Sequence, residues 1–475
     1  MTSTAKTDSL SNRLEVPHFI KGAVQHGAEV EQRSRAQSTP VFTPKISMDD
    51  LVWRRHEPTP AFNTPIRDII DFLAEVGERL DFDSNPYLQE AVEKMSHFST
   101  LDSRVLENSY RDIRYMFRRE GVIAEIEQTL GSLEVLDGWV ARNPFLPNSR
   151  VRAVPPRMVH VLAGNAPVVP PITIVRGAIT KGVHLLKLPS NDMFTTTAIL
   201  RTMADVDADH PTTKSFTAAY WRGGDEQLES AIYRSQYFDK IVVWGGEAAV
   251  KHVVKYVGPG LEMVSFDPKV SVSMIGKAAF DSPDTTRDVA MKAAADVIGW
   301  NQDACSASRF HYVEGTIEQV DQYCEELVKA MGVDTRYGPG KSSLVPPGDI
   351  REQLDMLQNL EPLYRVFGKY DGNGMVIRSD EERVDFSPTG KLVNVVRVDK
   401  LADAVKNITV ATQTVGIYPK EERIALRDSL ASCGAQRLVD LGEVNGGEGF
   451  GGSPHDAGMP VNRFMRWVVE SGDHG

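Results

Sequence analysis

A chain of 475 residues is longer than one hydrophobic core organises, so two domains are expected. Its 53 basic and 65 acidic residues leave a net charge of −12, which excludes a general binder of nucleic-acid backbones and leaves room only for a local basic pocket. No apolar stretch reaches the roughly 18 residues of a membrane span and no secretory leader opens the chain; three scattered cysteines make neither a disulfide framework nor a CxxC metal site. A cytoplasmic protein with no metal centre, nucleic-acid partner or membrane span is expected.

Residues 1–45 are polar, with "VPHFIKGAV" as a modest apolar patch, and read as a flexible arm. Residues 46–150 read as a helical segment packing on the domain that follows: Ile66, Ile69, Ile70, Leu73, Val76 and Leu80 recur at helical spacing. Prolines in "RNPFLPNSRVRAVPPR" then break the pattern. Between about 151 and 270, the runs "MVHVLAG", "HLLKLP", "FTAAYW", "KIVVWGG" and "VSVSMIG" read as buried strands alternating with amphipathic helices. That alternation is the mark of a doubly wound parallel sheet, which takes its ligands at the carboxyl ends of its strands. A second α/β unit follows over 271–440, from the helix "TRDVAMKAAADVIG" to the strands "LVNVVRV" and "TVGIYP". Residues 441–475 form a glycine-rich tail expected to serve subunit contact.

Cys324 shares a helical face with Val320, Leu327 and Met331 and reads as core filler, and Cys433, at a helix end before Gly434, is given the same role. Cys305 differs, because "WNQDACSASR" places it in a polar turn between helix and strand, where a thiol is either an accessible nucleophile or only a small buried side chain. Asn165 sits where the first strand passes into a helix; its amide can donate to an oxyanion or cap that helix. Lys187 ends the second strand, either meeting a nucleotide's ribose or phosphate or standing in solvent. Gly245 and Gly246 open a helix N-terminus suited to a pyrophosphate, although their spacing is not GxGxxG.

From Pro156 onward the sequence resembles the aldehyde dehydrogenase superfamily, and within it the acyl-CoA reductases related to the fatty acid reductase of bacterial bioluminescence. Gln302, Cys305, Ala307, Ser308 and Arg309 match the superfamily's cysteine motif; "AGNAP", "LLKLPS" and "WGGEAAV" match its oxyanion, ribose and pyrophosphate segments, and "GGSPHDAG" looks like a terminal motif of the bioluminescence reductases. The resemblance implies a Rossmann-type cofactor domain and an α/β catalytic domain. It makes Cys305 the nucleophile, has Asn165 and the Cys305 N–H bind the oxyanion, and assigns Lys187, Gly245 and Gly246 to the cofactor.

Departures from the pattern bear on the reaction. Oxidising members carry a glutamate that activates water in a segment that here reads "VSFDPKVS", with Ser265 at its place. Lacking that base, an acyl-cysteine would persist to accept a hydride. Ser190 stands where many NAD users have a glutamate that repels a 2′-phosphate, so NADPH is favoured over NADH. Around "DFSPTGKLVNVV" there is no equivalent of the glutamate that holds the nicotinamide ribose. His455 either passes a proton to the leaving thiolate or nascent alkoxide, titrating near neutrality, or only fixes its loop.

The expected activity is NADPH-dependent reduction of a long-chain fatty acyl-CoA to the aldehyde, with release of coenzyme A, through an acyl thioester on Cys305. An ordinary aldehyde dehydrogenase and a silent acyl-binding subunit are the alternatives. A homo-oligomer working beside an acyl-activating synthetase and a thioesterase-like transferase is what the resemblance implies for partners.

Overall fold

The computed structural model describes residues 14–33, 40–143, 145, 148–342, 348–445 and 453–472. Two compact units emerge. Unit 1 draws on the described parts of Met1–Ser99, Ser109–Asp267 and Gly449–Gly475, and unit 2 on those of Thr100–Asn108 and Pro268–Glu448.

Unit 1 is organised by a seven-stranded sheet of β1 (His18–Ile20), β2 (Ala23–Gln25), β3 (Arg157–Val161), β4 (Val183–Lys187), β5 (Phe216–Ala219), β6 (Lys240–Trp244) and β7 (Glu262–Phe266), in the order β7-β6-β3-β4-β5-β1-β2. The strands from β3 to β7 are parallel. Their central members are buried along almost their whole length, because helices cover both faces of such a sheet and leave no polar side. The helices include α1 (Ile66–Arg79), α2 (Arg119–Leu130), α3 (Val169–Ile179), α4 (Thr195–Asp207) and α5 (Glu247–Val254). In α1 the residues at helical spacing, Ile66, Ile69, Ile70, Leu73 and Val76, are those buried. From β3 the chain winds to β4 and β5 on one side and returns to β6 and β7 on the other. The crevice of this fold therefore opens at the carboxyl ends of β3 and β6.

Unit 2 holds a second seven-stranded sheet: β8 (Val270–Ile275), β9 (Ser308–Glu314), β10 (Tyr364–Lys369), β11 (Gly374–Asp380), β12 (Leu392–Val398), β13 (Thr412–Tyr418) and β14 (Arg437–Asp440), ordered β10-β11-β12-β9-β8-β13-β14. Helices α6 (Pro283–Ile298) and α7 (Ile317–Met331) pack a core of Val289, Ala293, Val297, Val320, Leu327 and Met331 on one face. On the other lie Met274, Tyr312, Ile377, Val396 and Leu430, the last from α8 (Lys420–Cys433).

The structure departs from the sequence expectations in several places. "VPHFIKGAV", expected within a flexible arm, holds the hairpin β1–β2, which extends the unit 1 sheet antiparallel to β5. "VSVSMIG" belongs to unit 2 as β8; the fifth parallel strand of unit 1 is β7, whose edge position leaves it half exposed and without the continuous apolar run that marks its neighbours. The tail strand Arg466–Ser471 pairs with Ser149–Val154, which also pairs with Val140–Ala141. Cys433 is exposed, since it ends α8 at the Gly434 cap and does not fill a core. Among the described residues no helix is long and apolar enough to cross a membrane.

Burial also sets an acid limit on the fold. His184 and His311 are fully enclosed and burial pulls their pKa down to about 3, while His18 falls to about 4 for the same reason. The ordinary value is 6.5. As pH drops through that value the unfolded chain takes up protons that the folded chain refuses, so stability is lost, by up to about 1.4 kcal/mol per pH unit for each histidine. The denaturant midpoint is expected to be clearly lower at pH 5 than at pH 7, with His311→Asn narrowing the gap. Equal midpoints at the two pH values would contradict this account.

Candidate active site

In unit 2, α6 ends at Gly299 and the chain enters a turn in which Trp300, Asn301 and Gln302 have φ of 45°, 56° and 64°. Left-handed conformations cost an ordinary residue about 1–2 kcal/mol each, so this turn must be held from outside. The buried Gln302 amide does most of the holding. Its Nε2 donates to the carbonyls of Leu392 (2.8 Å) and Ser308 (3.1 Å), and its Oε1 accepts from the Leu392 N–H (3.2 Å). Trp300 stacks on Tyr337 at 4.9 Å, and Asn301 Oδ1 accepts from Ser342 Oγ at 3.1 Å.

Cys305 follows, half-buried, with its carbonyl accepting from Ser271 Oγ at 2.9 Å. Its neighbours are pinned as well. Thr100 Oγ1 donates to Asp303 Oδ2 (2.8 Å), and Ser306 Oγ donates to Asn445 Oδ1 (2.8 Å). Asn445 in turn donates to the carbonyls of Ala295 (3.1 Å) and Asp296 (3.2 Å) near the end of α6. Arg309 donates to the carbonyls of Gln302 (3.1 Å) and Pro388 (2.7 Å). Its guanidinium has a pKa lowered by burial and opposed by the charges of Asp303 and Cys305, which places a cation within electrostatic reach of the thiol. Cys324, by contrast, is fully enclosed, and burial pushes its thiol well above the usual range.

In unit 1 the crevice is built from four strand ends. After β3, a Cβ on Gly164 would collide with the Asn191 side chain and stand 2.8 Å from the Asp192 nitrogen, so only glycine lets this loop lie so close. Asn165, half-buried, comes next. The residue at the cap of α3 is Val168, three residues further on. Lys187 at the end of β4 is only 8% exposed and lies 5.3 Å from the centre of the Trp221 ring. It shares an open cleft of about 150 Å³ with Ser190, Arg33, Arg222, Glu229 and His252. After β6, Gly245 has φ of 152°, and Gly246 caps α5 without a side-chain cap bond and with nothing within 4 Å of where a Cβ would stand.

Sequence reasoning did not find Arg222, Arg33, Glu229 or His252. Arg222 had a usable signal, since "AYWRGG" follows β5 as "LLKLPS" follows β4. Glu229 and His252 come from helices and meet only in the fold. The Glu229 carboxylate is engaged inside the protein, accepting from Trp221 Nε1 (3.3 Å), Gly224 N (3.3 Å) and Tyr256 OH (3.2 Å) and meeting His252 Nε2 at 2.5 Å.

His455 also belongs to unit 1, beside the carboxyl ends of β6 and β7. Its ring lies 4.9 Å from that of Phe266 and 5.5 Å from that of Trp244. Burial, then the charges of Arg176 and Arg463, bring its pKa down to about 3, which does not fit a group titrating near neutrality. The ring stands 4.0 Å from Asp456 Oδ1, too far for a hydrogen bond. Ser265, the residue in place of the expected base, accepts through its carbonyl from Arg463 Nη2 at 3.1 Å.

This architecture is that of the aldehyde dehydrogenases. A NAD-dependent benzaldehyde dehydrogenase from Corynebacterium glutamicum superposes with a TM-score of 0.70 over 99% of each chain at 14% identity. A salicylaldehyde dehydrogenase from Pseudomonas putida G7 gives a TM-score of 0.71 over 98% of this chain and 99% of that one at 13% identity. In sequence, the long-chain acyl-protein thioester reductase of Aliivibrio fischeri is 28% identical over 414 residues, covering 86% of this chain and 82% of its own. That of Photobacterium leiognathi, the second of its name, is 25% identical over 468 residues, covering 96% and 92%. The family model described as acyl-CoA reductase (LuxC) matches residues 61–467, and the chain belongs to that family of acyl thioester reductases.

Proposed function

We propose that the chain reduces a long-chain fatty acyl-CoA to the aldehyde with NADPH, through a thioester on Cys305. The observation that carries this reading is the state of the cysteines: Cys305 alone is half-buried in a loop fixed on several sides, whereas Cys324 is sealed in a core and Cys433 lies exposed at a helix end. The Cys305 sulfur attacks the acyl carbonyl carbon, with Asn165 and the Cys305 N–H donating to the oxygen as it gains charge. The carbonyl re-forms as the bond to the carrier sulfur breaks; the carrier leaves as a thiolate and takes a proton. When bound, the nicotinamide supplies the hydride that turns the acyl-cysteine into aldehyde and frees the Cys305 sulfur.

The unit 1 crevice fits such a cofactor. Lys187 and Arg222 bring positive charge to the cleft, Ser190 brings none, and the uncapped amides at the start of α5 suit a pyrophosphate. The acid in the cleft, Glu229, is turned to Trp221, Gly224, His252 and Tyr256, which favours NADPH over NADH. A second reading of the carrier, an acylated protein in place of coenzyme A, is favoured by the relatives, which are long-chain acyl-protein thioester reductases. Homo-oligomerisation belongs to the same proposal, because Arg466–Ser471 lies at a sheet edge with Val468 and Val469 exposed. An acyl-activating synthetase remains the expected supplier of substrate.

Intact-mass analysis after adding acyl-CoA without cofactor should show one acyl adduct, lost in Cys305→Ala. An adduct on Cys324 or Cys433 would refute the assignment, and an adduct formed only from acylated protein would move the carrier to the second reading. Ser190→Glu should raise KM for NADPH by about tenfold relative to NADH, equivalent to about 1.4 kcal/mol. An unchanged ratio would remove Ser190 from the cofactor site. Gln302→Leu strands the Leu392 amide groups and should cost about 2–3 kcal/mol in denaturant titration. It should also change the rate at which iodoacetamide alkylates Cys305; an unaltered rate would show that the clamp does not set the thiol's position.

A further inference from the structure

Glu125 lies on α2 among the apolar residues Val122, Ile126 and Leu130, and Arg176 lies on the almost wholly buried α3. Both side chains are 0% exposed, with Arg176 Nε 2.9 Å from Glu125 Oε1. Taking two charges out of water is costly, and a well-packed apolar pair is often at least as stable in such a place. What this pair supplies is direction. Arg176 Nη1 donates to His455 Nδ1 at 3.4 Å.

A guanidinium has donors only, so the nitrogen it meets must carry the lone pair, and the neutral ring must carry its proton on Nε2. The ring is otherwise held by Phe266 and Trp244 and by its own loop, in which the His455 N–H donates to the Gly458 carbonyl (2.9 Å) and the Gly458 N–H donates back (3.2 Å). Asp456 and Ala457 between them are left-handed, with φ of 49° and 57°. The charged groups around the ring are Arg176 from α3, Glu125 behind it on α2, Arg463 after the loop, and Asp456. Both cations oppose a second proton. Nε2 has no hydrogen-bond partner among the described residues, and 25% of the side chain is exposed.

We propose that Glu125 and Arg176 are positioning residues that lock His455 as a neutral Nε2–H donor for a carbonyl oxygen bound at the carboxyl ends of β6 and β7. On this view His455 neither releases nor takes up a proton during turnover. The proposal rests on the reductase reading above, which supplies two carbonyl sources, the acyl thioester and the nicotinamide carboxamide.

Imidazole nitrogen NMR of histidine-labelled full-length protein reads the tautomer without turnover. The His455 signals, assigned by their loss in His455→Gln, should show a bare Nδ1 and a protonated Nε2 that do not titrate between pH 8 and pH 5. Arg176→Met, or Glu125→Gln/Arg176→Met if the single variant unfolds, should release the tautomer and let His455 titrate upward; Arg176→Lys should restore part of the lock. A protonated Nδ1, or titration near neutrality in the unaltered protein, would overturn the proposal.

In turnover, His455→Ala should lose about tenfold or more in kcat, the scale of one hydrogen bond to a reacting oxygen, and His455→Gln should recover part of that loss. The pH profile should gain an acidic limb only in Arg176→Met. Weaker NADPH binding by His455→Ala would identify the carboxamide as acceptor, and slower acylation with unchanged NADPH binding would identify the thioester. Unchanged turnover in His455→Ala would overturn the donor role, whereas failure of Cys305 to take an acyl group, with the tautomer intact, would count against the reductase reading alone.

Discussion

The chemistry assigned to Cys305 depends on a turn that the backbone would not adopt unaided. Three consecutive left-handed residues redirect the chain between α6 and β9, and the Gln302 amide makes that route tenable by completing the hydrogen bonding at the first residue of β12. The anchor is itself anchored. Lys391, one residue earlier and fully buried, donates through Nζ to the carbonyls of Met331 (2.9 Å), Pro339 (2.9 Å) and Gly340 (3.0 Å). Burial pulls that ammonium down to about 8, so the cage of carbonyls holds it at the expense of hydration. The cysteine loop thus takes its position from the rigid start of a central strand, which suits the proposed role of a sulfur that meets a carbonyl carbon at close range.

The unit 1 crevice follows from a different constraint. Parallel strands end on one side of their sheet, so residues distant in sequence come to a common rim: Asn165 beyond β3, Lys187 on β4, Arg222 beyond β5 and Gly246 beyond β6. A net charge of −12 would repel an anionic cofactor from most of the surface. The rim concentrates lysine and arginine in one cleft and satisfies its acid, Glu229, from within. For the cofactor proposed above, local arrangement outweighs the overall charge.

Much of this was legible in the sequence because burial on both faces leaves a continuous apolar signature. "HLLKLP" and "KIVVWGG" became β4 and β6, and the polar decapeptide around Cys305 became the turn between α6 and β9. The motif residues Gln302 and Arg309 proved to be the ones that fix that turn. Strands outside that parallel centre carry no such signature: β7, at an edge, has alternating burial and β1, between β5 and β2, only three residues, so the first was missed and the second was read as part of an arm. The cleft residues Glu229 and His252 were hidden for a further reason. Each sits on an ordinary amphipathic helix, and their meeting depends on how two helices pack against the sheet. A buried acid such as Glu125 looks, in sequence, like any surface position of α2.

On the proposed reading the fate of an acyl-cysteine turns on whether water can be activated, and the groups at the carboxyl ends of β6 and β7 in unit 1 are not arranged as such a base. Ser265 stands where the resemblance would put the glutamate of oxidising members, and its carbonyl accepts from Arg463. His455 is a neighbouring group that could take a proton, yet Arg176 occupies its Nδ1. A base must offer a lone pair, and a neutral imidazole has one such nitrogen. With that nitrogen engaged and two guanidinium groups disfavouring the cation, His455 can donate but cannot accept at neutral pH. On the proposed reading the same arrangement serves reduction twice over: it withholds His455 as a base for hydrolysis, and it leaves an N–H in place to polarise a carbonyl awaiting hydride.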